Sequence, residues 1–579
     1  MATLLRTAPS IGVLEPAIAD RRPHERSTGG SERIAMGLQV AAALLFVPQA
    51  GLLALAVAGM AEGAAWRGAW LPAIGIATIG LLRAGLEALG GRLVFRAARA
   101  RLSQLRTQAA EALARRSPLD GGRPPSGLAA SVLVEQADAV VPYLARFRPA
   151  RLRASLLPIA LFACVLPVSW VAALILAVTA PLIPIFMALV GWRAKAASEA
   201  QLVEMGGMNA FLLDRLRGLA TLRALGAVEI TARRLRADAE SLRRRTMAVL
   251  RIAFLSSAVL ELFSALGVAM LAAYIGLSLL GLINFGTWGR PLGLGEGLFV
   301  LLLAPAFFEP LRDLAVAWHD RAAGQAALAA LEALAVPGVD MVGDDHTPPW
   351  SCPARAPSLR LEQIGFRHAG IGAAGEGTRV LDHFNLSVAA GEHVALFAPS
   401  GAGKSTLLAL IAGLAAPQHG RVLIDGEELT PSSAARLRAG MAYIGQQPHI
   451  FAGTLAANVG LGRPHVDLPA VARALDIAQL GRLATRRGSA PIGEAGRGLS
   501  GGEALRLALA RLAATPDAGL ILADEPTGHL DSATAADVTE ALLTLAEGRT
   551  LIVATHDPAL AGCMHRVIRL APAATEVSA

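Results

Sequence analysis

Long runs of apolar residues dominate the first half of the chain, whereas the second half alternates short apolar segments with polar turns. A helix that crosses the hydrocarbon core of a bilayer needs roughly 20 mostly apolar residues. Runs longer than this, with at most one charged residue each, cover residues 34–61, 154–192 and 252–288. The middle run is long enough for two spans, and a turn at Pro167-Val168-Ser169 would divide it. The pattern therefore predicts four membrane-spanning helices in these runs.

Two further segments are apolar but contain charged residues, and we interpret them as the second and sixth spans. Residues 68–91 contain Arg83 and Glu87, which are four positions apart and so share one face of a helix. The charged residues of segment 296–317 are Glu296, Glu309, Arg312 and Asp313. The sequence thus predicts an N-terminal all-α transmembrane domain of six helices.

The charged residues within these spans are candidates for a functional site, since charges in a membrane are costly and usually serve a function. Counted inward along their helices, Arg83, Glu261 and Glu309 lie at comparable depths on three different helices. Together with Glu87 they are candidate substrate ligands in a polar cavity. The sequence equally allows these residues to pair with charges on neighbouring helices and to contact no substrate.

Basic residues are concentrated on one side of the predicted spans. The connections at residues 92–153 and 193–251 contain twelve arginines and lysines each, whereas the connections on the other side contain only Arg67 and Arg290. Because basic residues are retained in the cytoplasm, both long connections are expected to be cytoplasmic. Apolar residues at helical spacing continue through them, so we expect long helices that leave the bilayer and reach a soluble domain.

A change in composition marks the boundary between the two halves. Residues 337–358 are rich in proline, aspartate and glycine, and we interpret them as a linker. The linker separates the transmembrane domain, residues 34–336, from a nucleotide-binding domain at residues 359–579, and a polar cytoplasmic tail occupies residues 1–33. Six spans place the C-terminal domain in the cytoplasm, where ATP is available.

The C-terminal half contains a P-loop in its usual context. Residues 394–406 read VALFAPSGAGKST, in which a short apolar strand leads into a glycine-rich turn and then a helix. Such a loop binds phosphates through backbone N–H groups and a helix N-terminus. We expect Lys404 to contact the β- and γ-phosphates of ATP and Ser405 to bind Mg²⁺. The expected nucleotide-binding residues here are Ala398, Pro399, Ser400, Gly401, Ala402, Gly403, Lys404, Ser405 and Thr406.

Two features of this loop bear on its function. The chain has 53 basic residues, of which only Lys195 and Lys404 are lysines. A compact ammonium group at the phosphate position, where a planar guanidinium would not fit, indicates a working P-loop. The first position of the motif is Ala398 instead of glycine, and we expect its methyl group either to be tolerated or to strain the loop and weaken nucleotide binding.

Two later strands end in residues suited to ATP hydrolysis. The segment LILADEPTGHLD, residues 520–531, ends an apolar strand with Asp524, a candidate Mg²⁺ ligand, and Glu525, a candidate for polarising the attacking water. The segment TLIVATHD, residues 550–557, places His556 at a strand end, where open α/β sheets carry ligand-binding groups. The C-terminal half is therefore predicted to be an α/β P-loop NTPase with ATP and Mg²⁺ as cofactors.

The whole soluble half resembles an ATP-binding-cassette (ABC) nucleotide-binding domain. Its most specific mark is LSGGE at residues 499–503, which matches the family signature LSGGQ except at Glu503. The resemblance implies that Ser500, Gly501, Gly502 and Glu503 cap an ATP bound to a second subunit. It also implies roles for five other residues: Gln446 in the catalytic and Mg²⁺-binding glutamine loop, Asp531 in the D-loop, His368 at the adenine, His556 in catalysis, and Glu494 in contacts with membrane-domain helices.

The order of the two domains resembles the exporter class of ABC proteins, whose membrane domain has the type-1 (type IV) fold. One chain carries one cassette, and the resemblance implies that ATP sites form between two. Segments at residues 179–194, 211–227 and 301–324, with FVPQAGLLA near the N-terminus, resemble the CydD-type subunit of the CydDC family. This implies a heterodimer with a CydC-type subunit in the bacterial inner membrane, export of the thiols cysteine and glutathione to the periplasm, and support of cytochrome bd assembly.

Three alternatives accompany this interpretation. The same cassette would serve an exporter of lipids or drugs, and it would also serve a regulatory subunit that binds ATP with low turnover. A soluble ABC ATPase of DNA repair or translation is disfavoured by the membrane-length runs. The net charge of +8 comes from arginines between those runs, so no nucleic-acid partner is expected. Cys164, Cys352 and Cys563 have no metal-type spacing and are expected to be unpaired thiols.

Overall fold

The protein consists of two compact units. One combines Met1–Thr107 with Ala130–Ala333, and the other combines Gln108–Ala129 with Leu334–Ala579. The computed structural model describes residues 25–63, 70–183, 185–186, 208, 211–212, 215–216, 218–343, 355–368, 379–463, 466–493, 498–528 and 530–570. Most of the polar tail, Lys195, Cys352 and Glu494 lie outside these residues.

All secondary-structure elements in the described part of the first unit are helices, joined by turns and short loops. Its helices, with the end of α3 shared with the second unit, are α1 (Glu25–Leu44), α2 (Phe46–Ala61), α3 (Trp70–Arg115), α4 (Ser126–Val134), α5 (Val140–Pro142), α6 (Arg148–Val165), α7 (Trp170–Thr179), α8 (Leu219–Ala224), α9 (Val228–Leu279) and α10 (Leu294–Leu334). A 3₁₀ turn and a π turn connect α4, α5 and α6, and they cover Gln136–Ala139 and Tyr143–Phe147.

Five helical stretches of the described residues are long and apolar enough to cross a membrane. They are Gly30–Ala61, Trp70–Arg115, Ser126–Val165, Ala258–Leu279 and Leu294–Trp318. They correspond to five of the six predicted spans. The fourth predicted span begins as α7, which is a short apolar helix of 10 residues, and most of its continuation lies outside the described residues. The sixth membrane crossing therefore stays a prediction.

The predicted turn between the third and fourth spans is confirmed. Helix α6 ends at Val165, and Ser169 is the N-cap of α7, where its side chain accepts a hydrogen bond from the Ala172 N–H. The buried Ser169 hydroxyl also donates to the Gly286 carbonyl over 2.6 Å. Pro167 and Ser169 thus serve as turn and cap residues, which explains why this long apolar run does not form one helix.

Two of the helices that extend well beyond a membrane thickness are the ones that the sequence predicted. Helix α3 has 46 residues and α9 has 52. At 1.5 Å per residue they are roughly 70 and 80 Å long, more than twice the hydrocarbon core of about 30 Å. Each helix therefore carries a polar, arginine-rich extension outside the bilayer.

The second unit contains two β-sheets. Its strands are β1 (Leu359–Arg367), β2 (Arg379–Val388), β3 (His393–Phe397), β4 (His419–Ile424), β5 (Glu427–Glu428), β6 (Met441–Ile444), β7 (Leu520–Asp524), β8 (Thr550–Thr555) and β9 (Arg566–Arg569). Four strands form an antiparallel sheet in the order β2-β1-β4-β5. The other five form a parallel sheet in the order β6-β7-β8-β3-β9.

Helices cover the parallel sheet, and both of its faces are buried. The helices are α11 (Lys404–Ile411), α12 (Ala434–Ala439), α13 (Leu455–Gly460), α14 (Leu468–Ile477), α15 (Gly481–Arg487), α16 (Gly501–Ala513), α17 (Ser532–Ala546) and α18 (Pro558–Gly562). Along β7, Ile521 and Ala523 belong to one hydrophobic cluster, while Leu520 and Leu522 belong to another. This alternation explains why the strands that lead to the predicted ATP site are apolar at every position.

The segment that follows α3 is tied to the segment that precedes β1, and both belong to the second unit. The Ser117 N–H donates to the Val339 carbonyl over 2.8 Å, and the Met341 N–H donates to the Arg115 carbonyl over 2.8 Å. Between them Arg116 is buried, donates to the Val336 carbonyl over 2.7 Å and lies 3.6 Å from Asp120. The cytoplasmic end of a predicted membrane helix is thus part of the nucleotide-binding unit.

Candidate functional site

Three neighbouring parallel strands bring the predicted ATP-site motifs to one edge of the sheet. Strand β8 lies between β7 and β3, and the register pairs Asp524 with Ala554 and Phe397 with Thr555. The P-loop after β3, the acidic residues at the end of β7 and His556 after β8 therefore emerge side by side. This edge is formed by the carboxyl ends of the strands, where open α/β sheets bind ligands.

The P-loop has the backbone that its glycines predicted. Gly401 and Gly403 have φ angles of +83° and +87°, and α11 begins immediately afterwards at Lys404. A Cβ atom on Gly403 would lie 2.4 Å from Val380 Cγ1, so this position has no room for a side chain. Ala398 has no positive φ and is buried in a hydrophobic cluster. Its methyl group is therefore tolerated as core packing, and the strain we considered for the loop is absent.

Lys404, Glu525 and His556 form one contact chain at the centre of the site. Lys404 Nζ donates to the carbonyl oxygens of Ala398 over 2.7 Å and Pro399 over 3.1 Å, and it lies 3.0 Å from Glu525 Oε1. Glu525 Oε2 lies 2.6 Å from His556 Nδ1. Lys404 and Glu525 are buried, whereas the His556 side chain is largely exposed. The two carboxylate oxygens of Glu525 thus have different partners.

The backbone of Glu525 is unusual. Its φ angle is +48°, a left-handed conformation that non-glycine residues rarely adopt. The Glu525 N–H donates to the Ala554 carbonyl over 2.8 Å, which fixes this conformation against β8. Residues held in such conformations are concentrated at functional sites, and here the conformation turns the carboxylate toward Lys404 and His556.

Asp524 and Ser405 provide the oxygen atoms that a magnesium ion prefers. Asp524 is 3% exposed, and its Oδ1 atom is buried without a hydrogen-bond partner among the described residues. Burial raises the pKa of the Asp524 carboxyl, and the neighbouring Glu525 adds to that effect, while a hydrogen bond to Ser405 opposes it. An unpartnered buried carboxylate oxygen beside a hydroxyl fits a hard divalent cation. Gln446 is exposed and follows β6, which pairs with β7 at this same edge.

Tyr443 is a neighbour of this site that the sequence did not reveal. Tyr443 is 41% exposed, and the partial burial of its ring together with the Asp524 carboxyl raises the pKa of Tyr443 to about 12. The residue lies on β6, where it is paired with Leu522 of β7. The sequence could not predict this proximity, because Tyr443 comes close to Asp524 only through the pairing of β6 with β7.

His368, the predicted adenine-stacking residue, lies next to the P-loop helix. Its Nε2 atom is 3.1 Å from the Thr406 hydroxyl, and its ring meets the Phe366 ring edge to face with centroids 5.3 Å apart. The structure therefore brings His368 to the ATP-site edge. Whether its ring face contacts a base stays a prediction.

The signature residues form a separate cluster at the start of α16. Ser500 is the N-cap, and its Oγ accepts from the Glu503 N–H over 3.2 Å, while Glu503 Oε2 accepts from the Ser500 N–H over 2.8 Å. Glu503 thus closes a capping box, and its negative charge lies favourably in the first turn of a helix. The hydrogen bonds described for Ser500 and Glu503 join these two residues to each other, and their role toward a second subunit stays a prediction. Gly501 and Gly502 form the first turn behind them.

Asp531, the predicted D-loop residue, is the N-cap of α17. Its carboxylate accepts hydrogen bonds from the Thr534 N–H over 3.0 Å and the Thr534 hydroxyl over 2.7 Å. These bonds lower the pKa of Asp531, the backbone bond most strongly. The side chain is therefore an anion held in place at the protein surface.

In the first unit, three of the four predicted substrate residues line one cavity. Arg83, Glu87 and Glu309 surround a space of about 50 Å³, to which α1, α2, α3, α6 and α10 all contribute. The Arg83 guanidinium lies over the Phe46 ring, 5.1 Å from its centroid. The other polar and charged residues of the lining are Gln39, Arg153 and Asp313.

The charges around this cavity differ in their partners. Arg153 and Asp313 form an ion pair across 3.5 Å, whereas no ion pair or hydrogen bond of the described side chains involves Arg83, Glu87 or Glu309. Arg153, which follows a polar connection, and Asp313 were not among the substrate ligands predicted from the sequence. Asp313 lies four positions after Glu309, on the same helix face, and that spacing was the available signal.

Glu261, the fourth predicted substrate residue, is placed differently. It does not line the cavity, and its Oε2 atom lies 3.0 Å from the Arg312 guanidinium. Of the two roles that the sequence allowed for Glu261, substrate contact or an interhelical ion pair, the structure therefore shows the ion pair. Comparable depth along separate helices did not bring Glu261 to the others, because depth says nothing of the direction in which a helix face points.

Two family models match the chain, one on each half. The ABC transporter transmembrane region matches residues 38–288, and the ABC transporter family matches residues 381–528. The chain has the fold of a solved bacterial Atm1-family ABC exporter with ATP bound, with a TM-score of 0.70 over 94% of both chains at 22% identity. The ATP-binding-cassette exporter fold, with membrane helices before the cassette, is thus confirmed.

Several known proteins are similar to the chain over most of its length. It is 35% identical to the transport ATP-binding protein AarD of Providencia stuartii over 92% of this chain and 90% of that one. It is 36% identical to the glutathione/L-cysteine transport system ATP-binding/permease protein CydD of Haemophilus influenzae, over 75% and 72% of the two chains. The CydC protein of the same transport system in Bacillus subtilis is 30% identical over 90% and 88%.

Proposed function

Because the chain belongs to the family of ABC exporters that includes CydD and CydC, we propose that it exports cysteine and glutathione as the CydD-type half of a heterodimer. The chain is a multi-pass membrane protein that couples ATP hydrolysis to transport. The proposal adds the cargo, the CydC-type partner, a bacterial inner-membrane location with a cytoplasmic cassette, and support of cytochrome bd assembly.

The observation that carries the proposed cargo is similarity across both halves to relatives named for glutathione and L-cysteine transport. Similarity confined to the cassette would be shared by exporters of any cargo, including lipids and drugs. The membrane unit adds a supporting feature in Arg83, Glu87 and Glu309, which line one cavity and have no ion-pair partner among the residues that the structure describes. Unpaired charges in a membrane domain are costly to maintain, which favours a role in binding.

In the proposed ATP site, the triphosphate of ATP occupies the turn of residues 398–405. Backbone N–H groups of the turn and the N-terminus of α11 bind the phosphates, and Lys404 contacts the β- and γ-phosphates. Ser405, Asp524 and Gln446 are the proposed ligands of a magnesium ion, which would neutralise phosphate charge when bound. His368 is proposed to contact the adenine.

The ion pair of Lys404 with Glu525 suggests the order of events. Lys404 has three acceptors in the structure, so a phosphate oxygen must displace one of them, and we propose that it displaces Glu525 Oε1. Glu525 is then released from Lys404 but still held by His556, in a position to polarise the attacking water. ATP binding thereby prepares the residue that acts in hydrolysis.

The second half of each ATP site is proposed to come from the partner chain. Ser500, Gly501 and Gly502 at the start of α16 would contact the γ-phosphate of ATP bound to the partner, and Asp531 would lie close by. Closure of the two cassettes on ATP and reopening after hydrolysis would alternate the access of the membrane cavity. Such coupling requires that cargo and ATP bind the two states with different affinity.

The test of the proposed function is transport into inverted membrane vesicles. Vesicles that contain this chain and a co-expressed CydC-type partner are expected to accumulate radiolabelled cysteine and glutathione with ATP, and vesicles with Lys404→Ala are not. The phosphate contacts of Lys404 are charge-assisted, and their loss is expected to reduce uptake at least about tenfold. Wild-type vesicles that accumulate labelled lipid or drugs but no thiol would reject the cargo. Unchanged uptake in the Lys404→Ala vesicles would reject the site.

A further test separates a working ATP site from a regulatory one. Glu525→Gln is expected to abolish hydrolysis at the site that contains the P-loop of this chain while ATP still binds. If the ATPase activity of the complex persists unchanged, the partner chain performs the hydrolysis and this chain is a regulatory subunit.

A further inference from the structure

The cavity in the membrane unit has the size of a chemical group and not of a whole molecule. Its volume of about 50 Å³ is far below the roughly 300–1,000 Å³ of pockets that enclose a whole small molecule. A thiol amino acid does not fit entirely within it. The cavity therefore fits one end group of a cargo molecule, with the remainder outside it.

The charge of the lining favours a cation. Two arginines and three acids line the cavity, and Arg153 and Asp313 pair with each other. One cation, Arg83, and two carboxylates, Glu87 and Glu309, remain without ion pairs among the described residues. The two carboxylates outnumber Arg83, so an end group that is only anionic would be repelled, whereas a primary ammonium group would supply the missing positive charge.

The backbone beside Glu309 adds a further acceptor. Helix α10 contains Pro305 and Pro310, which lie on either side of Glu309. Proline has no N–H, so the Ala306 carbonyl cannot receive the helical hydrogen bond from position 310. Ala306 and Pro310 both line the cavity. An ammonium group has three N–H donors, which match a freed carbonyl and two carboxylates.

A metal ion fits the cavity less well than an ammonium group. The part of the chain that the structure describes has no group of three or more His, Cys, Asp or Glu side chains placed to hold a metal. Arg83, positioned over Phe46 and at the same cavity, would also disfavour a divalent ion. The same guanidinium suits the carboxylate of a molecule whose ammonium group lies a few ångströms away.

We propose that this cavity is an end-group subsite in which Glu309, Glu87 and the Ala306 carbonyl bind the primary ammonium group of the cargo, with Arg83 placed for its carboxylate. The subsite rests on the proposed function, since it assumes that the cargo contacts this membrane unit. It makes the free amine, and not only the thiol, a requirement for transport. An N-acylated thiol of the same length is accordingly a poor cargo.

The experiment compares three compounds on the purified complex of this chain with its partner in lipid nanodiscs. Cysteine has both the amine and the thiol, N-acetylcysteine lacks the basic amine, and S-methylcysteine lacks the free thiol. The measurement is the concentration of each compound that gives half-maximal stimulation of ATP hydrolysis. For the wild type this concentration is expected to be at least about tenfold higher for N-acetylcysteine than for cysteine, the loss of one charged hydrogen-bonded contact.

Variants test which groups of the protein cause the preference for cysteine over N-acetylcysteine. Glu309→Gln keeps the shape of the side chain but removes its charge. In this variant the ratio of the half-maximal concentrations of N-acetylcysteine and cysteine is expected to fall to no more than about two. Glu261→Gln is the matched control, because Glu261 lies in the same unit but pairs with Arg312 outside the cavity, and it should keep the wild-type ratio. Pro310→Ala restores an N–H opposite the Ala306 carbonyl and should lower the ratio several-fold. If Glu309→Gln does not fold, Glu87→Gln and Pro310→Ala decide the question.

The possible outcomes distinguish a failure of the ammonium subsite from a failure of the proposed thiol cargo. Equal responses of the wild type to cysteine and N-acetylcysteine, or a wild-type ratio in Glu309→Gln, would overturn the ammonium subsite. Equal responses to cysteine and S-methylcysteine would reject the thiol as the recognised group, while the ratio for the amine would still decide the subsite. A complex that responds to none of the three compounds contradicts both proposals.

Discussion

At the scale of single residues, the ATP site shows a conflict between stability and function. Asp524 is buried with an unpartnered oxygen, and burial raises the pKa of its carboxyl. A carboxyl with a raised pKa in the folded state opposes folding once it is ionised. This cost develops as the pH rises from the ordinary carboxyl range through the raised pKa, and it is fully present above that.

Asp524→Asn is therefore expected to stabilise the protein without nucleotide while it abolishes ATP hydrolysis. The amide carries no charge, so at neutral pH the gain should be of the order of 1 kcal/mol, the cost typical of an unsatisfied buried polar group. Thermal unfolding of the purified wild type and variant over a pH series measures this gain in stability. The difference from the wild type should shrink as the pH is lowered toward 4. A lower melting temperature of the variant at neutral pH would contradict this account.

At the scale of secondary-structure elements, the turn between α6 and α7 depends on one hydroxyl. Ser169 is 1% exposed, caps α7, donates to the Gly286 carbonyl and lies 3.1 Å from the Tyr274 hydroxyl. These contacts connect the turn to the end of α9 and the loop after it. A single small side chain thus fixes where a long apolar run reverses.

Ser169→Ala is expected to lower the stability of the membrane unit by about 2 kcal/mol, because a cap is lost and a buried carbonyl loses its donor. A melting temperature lower by several degrees in detergent or nanodiscs would show this. Ser155→Ala is the control, since Ser155 is exposed on α6 and bonds only to the Leu152 carbonyl of its own helix. Equal melting temperatures for the two variants would refute the role of Ser169.

The elements that sequence patterns predicted well are those whose signal is local. The P-loop, the strand ends at Asp524 and His556, and the turn at Ser169 are determined by residues that are close in the chain. The cavity lining was only partly predictable, because Arg153 of α6 meets Asp313 of α10 through helix packing, which no local period encodes. Glu261 was grouped with Arg83 for the same reason, since the direction of its helix face depends on tertiary packing.

At the scale of the whole molecule, the strap at residues 115–120 joins a membrane helix to the nucleotide-binding unit. The last residues of α3 belong to that unit, and Leu119 and Val339 pack against its hydrophobic core. Arg116 and Asp120 are buried there as an ion pair. The strap is therefore packed within the nucleotide-binding unit itself.

Arg116→Ala is expected to uncouple transport from ATP hydrolysis. The Val336 carbonyl loses its donor and Asp120 becomes an unpaired buried charge, so the strap should detach while the P-loop stays intact. ATPase activity should stay within about twofold of the wild type, and thiol transport per ATP hydrolysed should fall several-fold. Arg123→Ala, at an exposed position of the same segment, serves as the control. Transport and hydrolysis that decline in proportion would argue against a coupling role for Arg116.

The contact between Lys404 and Glu525 affects which ligands the P-loop of the cassette binds. Glu525 Oε1 is the counter-anion of Lys404 in this phosphate-binding turn, so an incoming anion must compete with a carboxylate of the protein. Small cellular anions gain little binding free energy at this turn, because they must displace the Glu525 carboxylate from Lys404. A nucleotide succeeds because its phosphate chain brings several negative charges and many contacts at once. We therefore expect the pair to favour the binding of triphosphates over that of shorter phosphates and inorganic ions.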